Sequence, residues 1–129
     1  MEEKNKEIVK SYFRLVNEEK FDEFFNLFDP DVEFTAPYNF QAKGLEKVKP
    51  FYLQVPTNYP EHVDTPEIIL ASGDRVAVYI DFVGKTKEGQ SVSFKATDWF
   101  QLENGKIKSL NIFFDSHGVR AKLKKKKNK

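Results

Sequence analysis

The 129-residue chain has no cysteine, two histidines, one tryptophan and one methionine. Without cysteine there is no disulfide framework, no thiolate nucleophile and no cysteine-held metal, a composition that suits a reducing compartment. No apolar run reaches the length of a signal-sequence core or a membrane span, and Met1 to Lys6 is charged. Export and membrane insertion are therefore not expected, and the expected location is cytoplasmic. A glycine-rich phosphate loop, a nucleophile elbow and a GxGxxG stretch are likewise missing, so nucleotide cofactors and acyl-enzyme chemistry have no support and no cofactor is expected. His62 and His117 have no second ligand at helix or strand spacing. Asp29-Pro30-Asp31 lacks the alternating oxygens, central glycine and closing glutamate of a calcium loop. No metal site is expected, and the Asp-Pro-Asp stretch reads as a helix stop.

What the chain does have is 40% hydrophobic and 32% charged residues, with thirteen Phe and five Tyr. That balance is globular, and the length fits one domain with a phenylalanine-rich core. Net charge is only +1, but Arg120, Lys122, Lys124, Lys125, Lys126, Lys127 and Lys129 sit together at the end with no acid among them. The body then carries 14 basic against 20 acidic residues, a net of −6, which argues against a nucleic-acid-binding face. The expected organisation is a domain over residues 1–118 and a basic, disordered tail over 119–129, with no nucleic-acid or membrane partner.

Ile8, Val9, Tyr12, Phe13 and Val16 recur at helical spacing, which predicts a core-facing helix over Lys6 to Glu19. Phe21, Phe24, Phe25 and Phe28 repeat the period until Asp29-Pro30, predicting a second helix antiparallel to the first. Val32 to Ala36 reads as a strand stopped by Pro37, and Tyr38 to Ala42 as a loop leading to Gly44. A third helix over Leu45 to Tyr52 contains Pro50, and Val55 to Pro66, with prolines at 56, 60 and 66, reads as an irregular loop long enough to act as a lid. Strands follow at Glu67 to Ala71, Arg75 to Lys85, Gln90 to Leu102 and Ile107 to Phe114, joined by tight turns of which Asn104-Gly105 is the strongest. Helices followed by a run of strands predict an α+β domain with its helices on one face of a curved antiparallel sheet.

Strand alternation places Phe94, Ala96, Phe100 and Leu102 on one face with Asp98, the single acid on that face. Val76, Val78, Ile80 and Phe82 share a face on the preceding strand, and Leu110, Ile112 and Phe114 on the last. With Phe34, Tyr38 and Tyr52, the residues Val78, Ile80, Phe82, Phe100, Leu110, Ile112 and Phe114 are the expected ligand-binding wall of a concave cavity. An unpaired carboxylate on such a face costs several kcal/mol, so Asp98 should be neutral or hydrogen-bonded to a partner such as Tyr12. Tyr79, Asp81, Trp99, Gln101, Asn111 and Phe113 alternate to the outer face, and an outer face with Tyr, Trp and Phe is expected to be covered by a second copy in a homodimer.

The order helix, helix, strand, helix, meander, with Asn17 to Asp31 (NEEKFDEFFNLFDPD) and Asp98 to Ile107 (DWFQLENGKI), resembles the nuclear transport factor 2-like superfamily, in its ketosteroid isomerase and SnoaL-like polyketide cyclase group. The resemblance covers about Lys6 to Asp115 and implies a cone-shaped, cystatin-like α+β fold. It also implies that Tyr12 stands at the isomerase family's oxyanion-binding tyrosine and Asp98 at its protonated aspartic acid, both donors to an enolate oxygen. The family's general-base aspartate falls on or beside Ala36, where this chain has no carboxylate, and Glu33 points to the opposite strand face. His62, on the loop expected to act as a lid over the cavity, is the remaining base candidate.

Two functions follow as expectations. In one, the cavity binds a small, mostly apolar molecule whose oxygen is held by Tyr12 and Asp98, and acts on it as an isomerase, cyclase or hydratase. In the other, the Tyr/Asp pair is structural, Phe34, Phe82, Phe100 and Phe114 fill the cavity, and the protein is a non-catalytic ligand-binding or dimerising module.

Overall fold

The helical repeat of Val9, Tyr12, Phe13 and Val16 forms the inner face of α1 (Glu2–Asn17) in a computed structural model that describes residues 1–119 and Leu123. The helix begins ahead of the apolar pattern, with Glu2 and Glu3 at the positive end of its dipole. It ends on Glu19 at φ 58°, where the Glu19 N–H donates to the Val16 carbonyl and the Lys20 N–H to the Leu15 carbonyl. These two bonds satisfy carbonyls that the last turn leaves open, with glutamate in the left-handed position usually given to glycine.

The second helix, α2 (Phe21–Phe25), is shorter than the phenylalanine period predicts. Phe28 instead opens β1 (Phe28–Ala36), where it pairs with Ile107 of β6 (Lys106–Phe114). Pro30 keeps Asp29 out of helical backbone, and strand pairing with β6 takes over. The expected loop after Pro37 is a hairpin, with Tyr38 and Asn39 at positive φ leading into β2 (Phe40–Lys43). Next comes α3 (Leu45–Leu53), which runs through Pro50.

Val55 to Pro66 is not an irregular lid. It comprises α4 (Val55–Asn58), with Pro56 in its first turn where no amide donor is needed, and the first half of β3 (Glu61–Ser72). β3 is an edge strand, which tolerates Pro66, and the ladder shifts register between Pro66 and Ile68. Next come β4 (Arg75–Lys85) and β5 (Ser91–Glu103), and the Asn104-Gly105 turn before β6 has both residues at positive φ.

The six strands form one sheet in the order β2-β1-β6-β5-β4-β3. All neighbours are antiparallel except β1 and β6, so the expected antiparallel sheet is mixed at that one seam. α1 lies over β3 and β4, and α3 over β1 and β2, giving an α+β domain with the helices on one face. Between them, Phe24 is completely buried and its ring meets those of Tyr12, Phe28 and Tyr52 at centroid distances of 5.0, 5.3 and 4.7 Å. Tilted and edge-on ring contacts of this kind add about 0.5–1.5 kcal/mol per pair beyond the area buried. Residues 116–119 form a helical turn whose Val119 is buried. The basic residues of the expected tail, from Arg120 on, lie outside the described residues. Among the described residues, no helix is long and apolar enough to cross a membrane.

Candidate functional site

The inward faces of β4, β5 and β6 line up in rows: Val76, Phe100 and Leu110; then Val78, Asp98 and Ile112; then Ile80, Ala96 and Phe114; with Phe82 opposite Phe94 beyond them. The first row is closed off completely beneath α1. From the second row outward the sheet and helices part, leaving a cavity of about 360 Å³ lined by Asp98, Ile112, Ile80, Ala96, Phe114, Phe82 and Phe94 on the sheet side. That volume lies in the range of small-molecule sites. Tyr12, Val16, Phe51 and Tyr52 line it from the helices, and Tyr38, Tyr59 and Val119 are among its other lining residues. Phe82, Phe94 and Phe114 stack in a row, with centroids 4.7 and 4.6 Å apart, so these rings form a wall and do not plug the space.

Asp98 therefore sits at the cavity floor, only 3% exposed. Its carboxyl is held well above the usual carboxylate range, first by burial and then by the charge of Asp64. The expected bond from Tyr12 to Asp98 is not made. The Tyr12 hydroxyl pairs instead with the Tyr52 hydroxyl at 2.6 Å. Two hydroxyls so paired use one hydrogen between them and leave the other free for a ligand. Both phenols are pushed well above their ordinary value, chiefly by burial. Among the described residues, no hydrogen-bond donor or acceptor reaches the Asp98 carboxyl.

The second carboxyl in the cavity is Asp64, which the sequence pattern had placed in a loop. It lies on β3 opposite Phe82, with its backbone edge turned toward α1. There the Asp64 N–H donates to Asn17 Oδ1 and Asn17 Nδ2 donates to the Asp64 carbonyl, both at 2.8 Å. One side-chain amide thus does for this residue what a further strand would do, and holds it in place. Burial raises the Asp64 carboxyl to about 6, while the neighbouring His62 imidazole pulls it down. Its charge is felt at Tyr12, Tyr52 and Asp98 alike.

Of the expected site residues, Tyr12, Asp98, Tyr38, Tyr52, Ile80, Phe82, Ile112 and Phe114 all line this cavity. Phe34, Val78, Phe100 and Leu110 do not; each is at most 1% exposed in the closed core, Val78 being covered by its neighbours although Asp98 and Ile112 of its row reach the cavity. His62 does not line the cavity either. It lies on β3 with Nε2 2.8 Å from a Glu19 carboxylate oxygen, while Nδ1 is buried without a partner. Ala36 is buried and Glu33 stands on the exposed face of β1, as alternation requires. Among the described residues the lining has no Lys, Arg or His, and no three His, Cys, Asp or Glu side chains are grouped to hold a metal.

The SnoaL-like domain family matches residues 9–110. No curated protein matches in sequence. Among solved structures, a Jannaschia sp. CCS1 protein assigned to the SnoaL-like polyketide cyclases superposes with a TM-score of 0.86 at 20% identity, over 93% of this chain and 91% of that one. A nuclear transport factor 2-like protein of unknown function from Burkholderia pseudomallei K96243 gives 0.83 at 22% identity, over 91% and 95%. TerC, crystallised with polyporic acid, gives 0.83 at 19% identity, over 92% and 96%. At these identities the likeness establishes the fold, while chemistry has to be argued from the site.

Proposed function

The chain belongs to the SnoaL-like domain family of the nuclear transport factor 2-like superfamily, and from that premise we propose that its cavity binds a small, largely apolar molecule through one carbonyl-type oxygen and carries out proton-transfer chemistry on it, as an isomerase, cyclase or hydratase. Asp98 carries the reading. A carboxyl buried at the floor of an apolar cavity is neutral when nothing compensates its charge. A neutral carboxyl has one O–H to give, and among the described residues none receives it. A ligand oxygen placed there accepts that hydrogen bond together with the spare O–H of the Tyr12–Tyr52 pair. Two donors converging on one oxygen in a water-poor site stabilise negative charge that builds up on it. The stacked Phe82, Phe94 and Phe114 rings supply a flat apolar wall for the rest of the molecule. The TerC complex offers a precedent within the fold for an organic acid as ligand.

Binding of a planar phenol, a mimic of the oxygen anion, tests the reading. Calorimetry on the wild type, Tyr12→Phe and Asp98→Ala should show binding that weakens by ~1 to 3 kcal/mol with each substitution, the size of a lost buried or charge-assisted hydrogen bond. A folded wild type that binds no phenol would remove the oxygen site and leave the non-catalytic module.

A further inference from the structure

We propose that Asp64 is the general base of this cavity, acting on a small carbonyl compound that carries an enolisable C–H while the oxygen is held at Asp98. The inference rests on the oxygen-binding reading above and adds the residue that moves the proton.

The geometry separates the two carboxyls into different roles. Asp98 is on β5 in the row of Val78 and Asp64 on β3 in the row of Phe82, two rows further along the cavity with β4 between them, so a ligand whose oxygen lies on Asp98 presents its adjoining carbon skeleton along the wall toward Asp64. Ala36 supplies no carboxylate, and Glu33 is on the outer face. Asp64 and Asp98 are therefore the two acids in the lining among the described residues. The Asn17 amide fixes the Asp64 backbone on both sides, which holds the carboxyl in place on an edge strand that would otherwise be free to shift.

The titratable groups around Asp64 come from every neighbouring element. His62 precedes it on β3 and is itself paired to Glu19 beyond α1. Tyr12 on α1, Tyr52 on α3 and Asp98 on β5 feel its charge, Tyr59 at the end of α4 lines the same cavity, and its cross-strand partner on β4 is Phe82. Burial outweighs the pull of His62, so the carboxyl takes up its proton near pH 6. That is close to the working range in which a base is both ionised and strong enough to be useful.

In the step itself the Asp64 carboxylate takes a proton from the carbon beside the ligand carbonyl. The C–H electron pair becomes the new C–C π bond, and the carbonyl π pair moves onto oxygen. The oxygen keeps its hydrogen bonds from the Asp98 carboxyl and the tyrosine hydroxyl pair. Return of the proton from Asp64 to the same carbon gives exchange with solvent, and return to a conjugated carbon gives isomerisation. No oxidant, reductant or metal enters the balance.

The test is deuterium incorporation beside the carbonyl of 2-tetralone in D2O, followed by NMR, for the wild type, Asp64→Asn and Asp64→Glu, with phenol binding measured on each. The expected result is wild-type exchange above buffer, rising with pH through about 6. Exchange falls about a hundredfold or more in Asp64→Asn and is partly restored in Asp64→Glu, while both variants still bind phenol, Asp64→Asn no more weakly than the wild type because a nearby negative charge is gone. Exchange at the wild-type rate in Asp64→Asn overturns the assignment, as does a wild type that binds phenol but shows no exchange. In either case the oxygen site stands. Loss of phenol binding in the wild type removes both readings, and phenol binding by Asp64→Asn shows that this variant is folded.

Discussion

Replacing Asp64 by Asn should stabilise the protein at neutral pH and leave it unchanged in acid. The folded chain holds the Asp64 proton more tightly than the unfolded chain, with the carboxyl raised from 3.8 to about 6 by burial. Stability contributed by the protonated form is therefore fully present below about pH 4, declines as pH rises through about 6, and is gone above it. The carboxylate costs about 3 kcal/mol once ionised. This is an upper figure, because the residue is only partly buried. Asparagine keeps the shape of the neutral acid but does not titrate. Urea denaturation from pH 4 to pH 8 should thus give two curves that coincide in acid and diverge to as much as about 3 kcal/mol at pH 7.5, roughly 10 °C in melting temperature for a domain of this size. An Asp64→Asn protein that binds phenol normally yet is no more stable than the wild type at pH 7.5 would refute the claim that this carboxyl is desolvated.

Asn17→Ala removes both amide contacts to Asp64 and leaves a backbone N–H and C=O without partners at the edge of the sheet. Denaturant melts should register a loss of about 1–3 kcal/mol, and tetralone exchange should fall while phenol affinity holds; full exchange in this variant would show that the clamp does not position the base. On the outer sheet face, Tyr79, Trp99 and Phe113 are 41%, 51% and 57% exposed, with Asn111 beside them accepting a hydrogen bond from the Thr35 hydroxyl. Light scattering is expected to find a dimer in the wild type and a monomer in Trp99→Glu, and a monomeric wild type would end the dimer proposal.

The strands in the middle of the sheet were legible because both faces of each are committed. On β5 the residues from Val92 to Leu102 alternate without interruption, so the inward position of Asp98 follows from counting by twos. β3 defeats the same count. Ile69 and Ala71 are partly buried, and counting back from them would turn Val63 and Thr65 inward and Asp64 outward. The register shift between Pro66 and Ile68 reverses the parity, so that His62, Asp64 and Pro66 face in. Three prolines nearby make the segment look like a loop, and Asp64, one of several acids there, stands out only once the bulge is known.

Local sequence determined which chemistry this protein can hold: a buried Tyr12, an acid on an apolar strand face, no cysteine, and tight turns at the glycines. These follow from side-chain periodicity and backbone sterics, which act over a few residues. The tertiary structure decided which of those groups meet. Tyr12 took Tyr52, forty positions away, in place of Asp98; Phe34 and Phe100 went to the core while Phe82 and Phe114 went to the cavity wall; and Asp64 came to share a cavity with Asp98. Those outcomes depend on how far down the sheet α1 and α3 reach and where an edge strand slips its register, distances set by packing across the whole domain, to which no short window of sequence is sensitive.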